Sequence, residues 1–250
     1  MVSSAKSLDA TLVSFSGIDG AGKSTQIANL CTHLRAAGLR VRLVAFWDDV
    51  ATLKRIREGA GNRIFKGDKG VGSPEIPIHR RDKNVRSPVM TLIRLGLYTL
   101  DALSLRIRVK RALRSAADVV VFDRYLYDEL ANLDLRNRAN RFCLRALARM
   151  VPRPDICFVL DTDPVQARAR KPEYPLAFLH ENRNAYLRLS EFLGGVTVIP
   201  PLPLAEAQSQ VVRRVVRRLP APAGLRCVAI GEASFPQTQM DEPEARPFAS

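Results

Sequence analysis

Short apolar, β-branched runs alternate along the chain with longer stretches in which apolar residues recur at helical spacing. The first run, TLVSFS at 11–16, stops at Gly17. From Gly22 to about Ala37, Ile27, Leu30, Cys31 and Leu34 fall at i, i+3, i+4 and i+7, and Gly38 closes the stretch, as expected of a helix end. RVRLVAF at 40–46 alternates and then turns apolar, which predicts a second strand. Strand, helix and strand within roughly 35 residues make a βαβ unit and therefore a parallel sheet. The same logic predicts a helix over 89–115, a buried strand at 119–122 (VVVF) and a helix over 137–150. Further on it predicts a strand at 156–160, helices over 164–171 and 176–193, a strand at 196–199 and a closing helix over 204–219. The class is α/β, a parallel sheet wrapped by helices.

Two segments break the rhythm. Residues 59–90 mix Gly59, Gly61, Gly67, Gly70, Gly72, Pro74, Pro77 and Pro88 with Arg80, Arg81, Lys83 and Arg86. A long loop of that kind serves function or carries no fixed structure. From Pro220 the chain becomes proline-rich and slightly acidic, with Arg226 and Arg246 against Glu232, Asp241, Glu242 and Glu244. The expected division is one domain over 1–220, with 59–90 as a basic insertion, and a disordered tail over 221–250, although LRCVAI at 225–230 could form an edge strand.

Composition narrows the partners. Thirty-nine Lys and Arg against 25 Asp and Glu leave a formal charge of +14 over 250 residues, which favours anions: nucleotides, nucleic acid or anionic lipid. No apolar run reaches the roughly 20 residues of a membrane span, and the start lacks a secretory pattern. Cys31, Cys143, Cys157 and Cys227 have no metal-ligand spacing. A cytoplasmic protein is the expectation.

GIDGAGKST, Gly17 to Thr25, fits GxxxxGK[ST] between a predicted strand and a predicted helix. Gly17, Ile18, Asp19, Gly20, Ala21, Gly22, Lys23, Ser24 and Thr25 can wrap a nucleotide's phosphates with inward-pointing N–H groups. Lys23, expected to be exposed in the empty protein, can reach the β- and γ-phosphates, and the Ser24 hydroxyl can face Mg²⁺. Asp19 would repel phosphates, so it is read as facing an acceptor or as a turn residue. VVVFDRY at 119–125 ends a buried strand in Asp123, a metal-facing candidate at the sheet edge where α/β folds bind ligands. Beside it Arg124 could hold a phosphate with its planar fork.

Together these residues resemble the thymidylate kinase family of P-loop nucleoside monophosphate kinases. FSGIDGAGKST at 15–25 is similar to its phosphate loop, internal acid included, and Asp123-Arg124-Tyr125 to its DR-aromatic motif. LDTDPVQARAR at 160–170 and FLHENRNAY at 178–186 follow its later motifs, placing Arg170, Phe178, Arg183 and Tyr186 on matching positions. The resemblance implies ATP and Mg²⁺, transfer to a nucleoside monophosphate with dTMP first among acceptors, and a homodimer as the assembly to expect, with no membrane partner. It implies that Asp19 contacts the acceptor's sugar and that Arg124 holds its phosphate. It also implies a lid around 168–182 whose Arg168, Arg170 and Lys171 stabilise the transferring group. The chain departs at Trp47-Asp48-Asp49, at Asp101-Ala102, and at Asp128, Asn132 and Leu133, where the family places base-reading residues. Another small acceptor is the alternative. A regulatory or nucleic-acid-binding role has only the charge behind it, since no aromatic-rich motif or helix-turn-helix accompanies it. The stripe Arg138, Arg141, Arg145 and Arg149 is read as a solvated face.

Overall fold

The computed structural model describes residues 10–46 and 88–219, with side chains from 95 onward in the second stretch. The elements run β1 (Thr11–Ser16), α1 (Lys23–Ala36), β2 (Val41–Ala45), α2 (Pro88–Leu113), β3 (Val119–Asp123), α3 (Leu126–Leu130) and α4 (Arg138–Met150). They continue with β4 (Ile156–Leu160), α5 (Pro164–Arg170), α6 (Leu176–Leu193), β5 (Thr197–Ile199) and α7 (Leu204–Arg218). The tail, Trp47 and the basic residues of the 59–90 loop lie outside the described residues; the end of that loop, from Pro88, starts α2 instead. A proline tolerates a helix's first turn, where its missing N–H would have had no partner.

All five strands are parallel, in the order β2-β3-β1-β4-β5. Every residue of β1 is buried, because this strand sits at the centre with helices on both faces. Val13 and Phe15 face one layer, where Phe15 stacks on Phe158 with ring centroids 5.0 Å apart. Leu12, Val120 and Phe122 join the larger core on the other, with Tyr98, Leu105, Tyr125 and Leu126. Truncating such a fully buried aromatic residue costs about 3–5 kcal/mol.

The topology creates the crevice. From β1 the chain crosses toward β2, and from β3 it crosses the other way toward β4. Loops leaving β1 and β3 therefore diverge, and the gap at the carboxyl ends of these neighbours is where open α/β sheets take ligands. Their register, Phe15 opposite Asp123, brings the segment 17–22 level with Arg124.

Gly20 shows how tightly that loop is packed. Its φ is +84°, and a Cβ there would run into the Ala167 backbone of α5. Gly38 has a similar φ, +79°, but open space around it. Gly38→Ala is expected to lose about 1–2 kcal/mol, the left-handed penalty alone. Gly20→Ala is expected to lose roughly twice as much, because overpacking adds to it. Urea denaturation of both variants checks this; equal losses would mean that α5 yields freely.

Candidate active site

The phosphate loop is built from glycines at positive φ and a bare helix end. Gly17, Gly20 and Gly22 all have positive φ, and a side chain at Gly17 would meet the Leu160 carbonyl at 2.6 Å. Gly22 caps α1 without a side-chain bond, and no acid lies in the first turn. The first N–H groups of α1 and the positive end of its dipole thus stay open to an anion. Ser24 and Thr25 are exposed there.

Lys23 departs from expectation. It is buried, at 7% exposure, and its Nζ donates to the carbonyls of Gly17 and Ile18, each at 2.9 Å. The side chain folds back over its own loop, whose two carbonyls accept from the ammonium. Burial, then the charge of Arg124, pulls its pKa down to about 8.

Across the crevice stands Arg124. It has φ +68°, a left-handed conformation rare for a residue with a side chain, and its N–H donates to Phe15 O at 2.9 Å. Its guanidinium meets Asp19 Oδ1 at 2.5 Å and lies 3.7 Å from Asp128 Oδ1. Burial opposes the charge, but the carboxylates of Asp128 and Asp19 outweigh it and hold the guanidinium pKa above its ordinary value. For Asp19, burial is in turn outweighed by Arg124, Lys23 and Lys171, so its carboxyl is held low. Burial raises the Asp123 carboxyl, with Lys23 and Arg124 pulling the other way.

α5 reaches the same place. Arg170 Nη1 donates to Gly20 O at 3.3 Å, and Lys171 pairs with Glu173 at 3.3 Å. Among the described residues the Arg168 side chain makes no hydrogen bond or ion pair. Asp101 is wholly buried in α2. Arg141 and Arg145 lie over the Phe192 ring, at 5.3 and 4.6 Å, so the arginine stripe on α4 is partly packed rather than wholly solvated.

Sequence reasoning missed three things. The five-residue α3 is too short to show periodicity. Arg183 grips Asp161 with two bonds of 2.6 and 2.7 Å, fixing the end of β4. Asp128 is a buried junction, and the one signal for it was an acid at the third position of α3, where it can reach back to the Tyr125 N–H.

A central parallel strand running into a phosphate loop, with an arginine facing that loop across the switch point and a basic helix packed on it, defines a phosphoryl-transferring P-loop enzyme of the nucleotide-kinase type. The relatives narrow the class. The chain is 29% identical to a probable thymidylate kinase of Methanothermobacter thermautotrophicus over 215 residues, covering 84% of this chain and 94% of that one. It is 30% identical to a thymidylate kinase of Chlorobaculum parvum over 182 residues, 68% of this chain and 71% of that one. With the thymidylate kinase of Chlorobaculum tepidum the identity is 31% over 181 residues, 68% and 72% of the two chains. No family model matches the chain. It belongs to the thymidylate kinase family, a family of nucleoside monophosphate kinases that use ATP as donor.

The lowered Lys23 pKa has a direct consequence. ATP's phosphates favour the ammonium, so near pH 8.5 binding should draw part of a proton from the buffer, and affinity should fall as pH rises past about 8. For folding the sign is opposite: the unfolded chain holds this proton more tightly, so Lys23 alone adds stability as pH rises from about 8 toward 10.5. Calorimetry of ATP binding in buffers of different ionisation enthalpy reads the uptake. Lys23→Arg, which stays charged, should abolish it; uptake persisting in that variant would contradict the assignment.

Proposed function

We propose that the protein transfers the γ-phosphoryl group of ATP to the phosphate of dTMP, giving dTDP and ADP. An acceptor phosphate oxygen attacks the γ-phosphorus while the bond to the β–γ bridging oxygen breaks and ADP leaves. The observation that carries this reading is Arg124, which reaches across the β1/β3 crevice to Asp19 of the phosphate loop. A fixed cation and a fixed carboxylate there suit an acceptor with both an anion and a hydroxyl. Lys23 and Arg170 supply charge on the donor side, with Arg168 and Lys171 further along the lid, and positioning does most of the work.

Mg²⁺ fits the donor set. Ser24 offers an exposed hydroxyl and Asp123 a carboxylate whose burial a cation would relieve. Magnesium needs few protein oxygens because phosphates and water complete its shell. When bound, the ion would neutralise charge on the phosphates.

A different acceptor is the second reading, favoured at the positions expected to read the base. Asn132 turns its amide to the Asp128 carbonyl at 3.2 Å, and Leu133 is buried. A cytoplasmic location is part of the same proposal, supported by the free thiols of Cys31, Cys143 and Cys157. Among the described residues no helix is long and apolar enough to cross a membrane. A homodimer is supported by the family and by Leu100, Leu103 and Ile107, a half-exposed apolar stripe on α2.

The test is a panel of nucleoside monophosphates with MgATP, following ADP release and product mass. dTMP should give dTDP with the highest kcat/KM. Arg124→Ala should raise acceptor KM or lower kcat by roughly ten- to hundred-fold while ATP affinity changes less than about twofold. Equal loss on both sides with a lowered Tm would make Arg124 a structural ion-pair partner instead.

A further inference from the structure

One buried acid in the crevice has no part in the loop or in the arginine motif. Asp128 is 6% exposed, on α3, and its Oδ2 accepts from the Ser16 hydroxyl at 2.7 Å and the Tyr125 N–H at 3.0 Å. Its Oδ1 accepts from the Tyr186 hydroxyl at 2.8 Å and faces Arg124 Nη1 at 3.7 Å. Ser16 is the last residue of β1, Tyr125 follows Arg124, and Tyr186 comes from α6. One carboxylate therefore ties the root of the phosphate loop to the turn that carries the arginine.

Arg124 needs such support. Its left-handed backbone persists only where the surroundings over-determine it. The Arg124 N–H is fixed to Phe15 and the next N–H to Asp128. Its guanidinium lies between two carboxylates with unequal freedom. Among the described residues the Asp19 carboxylate, in the glycine-rich loop, bonds to Arg124 alone, whereas Asp128 is anchored by three other donors. An acceptor that engages both Asp19 and Arg124 must loosen the bond between them. Asp128 remains.

We infer that Asp128 is a positioning residue for phosphoryl transfer, keeping Arg124 aimed into the crevice when Asp19 exchanges it for the acceptor. This rests on the reading of Arg124 as the group that holds the acceptor's phosphate. Asn at 128 is near in shape but lacks the charge and turns an NH₂ toward donors that need an acceptor.

The experiment is a double-mutant cycle in the full chain, measuring dTMP kinetics, ATP affinity and Tm for Asp128→Asn, Arg124→Ala and both together. Asp128→Asn should raise dTMP KM about tenfold and leave ATP affinity within about twofold. In the Arg124→Ala background the same change should alter dTMP KM by less than about twofold, because its route is already gone. Fully additive effects, or a lowered Tm with unchanged dTMP KM, would overturn the inference. If Asp128→Asn does not fold, Tyr186→Phe removes one bond to Oδ1 and keeps the carboxylate. It should raise dTMP KM by about two- to threefold only while Arg124 is present; no rise would overturn the inference. Normal dTMP kinetics in Arg124→Ala alone would instead refute the acceptor reading, and this role of Asp128 with it.

Discussion

The guanidinium of Arg124, held between Asp19 and Asp128, joins the two halves of the crevice. Asp19 belongs to the loop after β1 and Asp128 to the helix after β3, so the arginine spans the switch point of the sheet. That span exists because β1 and β3 are neighbours in register, with Phe15 opposite Asp123 and the Phe15 carbonyl receiving the Arg124 N–H. A slip of one residue between these strands would turn alternate side chains to the wrong layer. It would also separate the arginine from both carboxylates. Burial of β1 on both faces is what forbids the slip.

The charges in this small space are balanced rather than merely numerous. Lys23 and Arg124 face Asp19, Asp123 and Asp128, and each affects its neighbours' proton affinity. Lys23 rests on two carbonyls and Arg124 on two carboxylates. Both cations are thus stored on internal partners, and a phosphate competes with those partners for them. Binding then rearranges hydrogen bonds already made, which keeps the cost of ordering long side chains low.

Much of this was legible in the sequence, for physical reasons that differ by element. Buried parallel strands appear as continuous apolar runs, and VVVF at 119–122 and ICFVL at 156–160 were both found where the sheet has them. GIDGAGKST was legible because a phosphate wrap permits few residue types at its tight positions. α3 was not, since five residues cannot show a period of 3.6. The burial of Lys23 was not either, because it depends on where two carbonyls point, a property of backbone angles rather than of residue identity. The role of Asp128 depends on Ser16 and Tyr186, each far away in sequence, meeting at one carboxylate.

The central claim is that the acceptor's phosphate binds at Arg124 and not at the donor loop. Side-chain ¹⁵N NMR of arginine, with the Arg124 signal assigned through Arg124→Lys, tests it most directly. Titration with dTMP should shift and sharpen the Arg124 resonance as the guanidinium exchanges Asp19 for phosphate, while a non-hydrolysable ATP analogue should move it far less. A resonance that follows the ATP analogue, or that ignores dTMP at concentrations supporting turnover, would contradict the account.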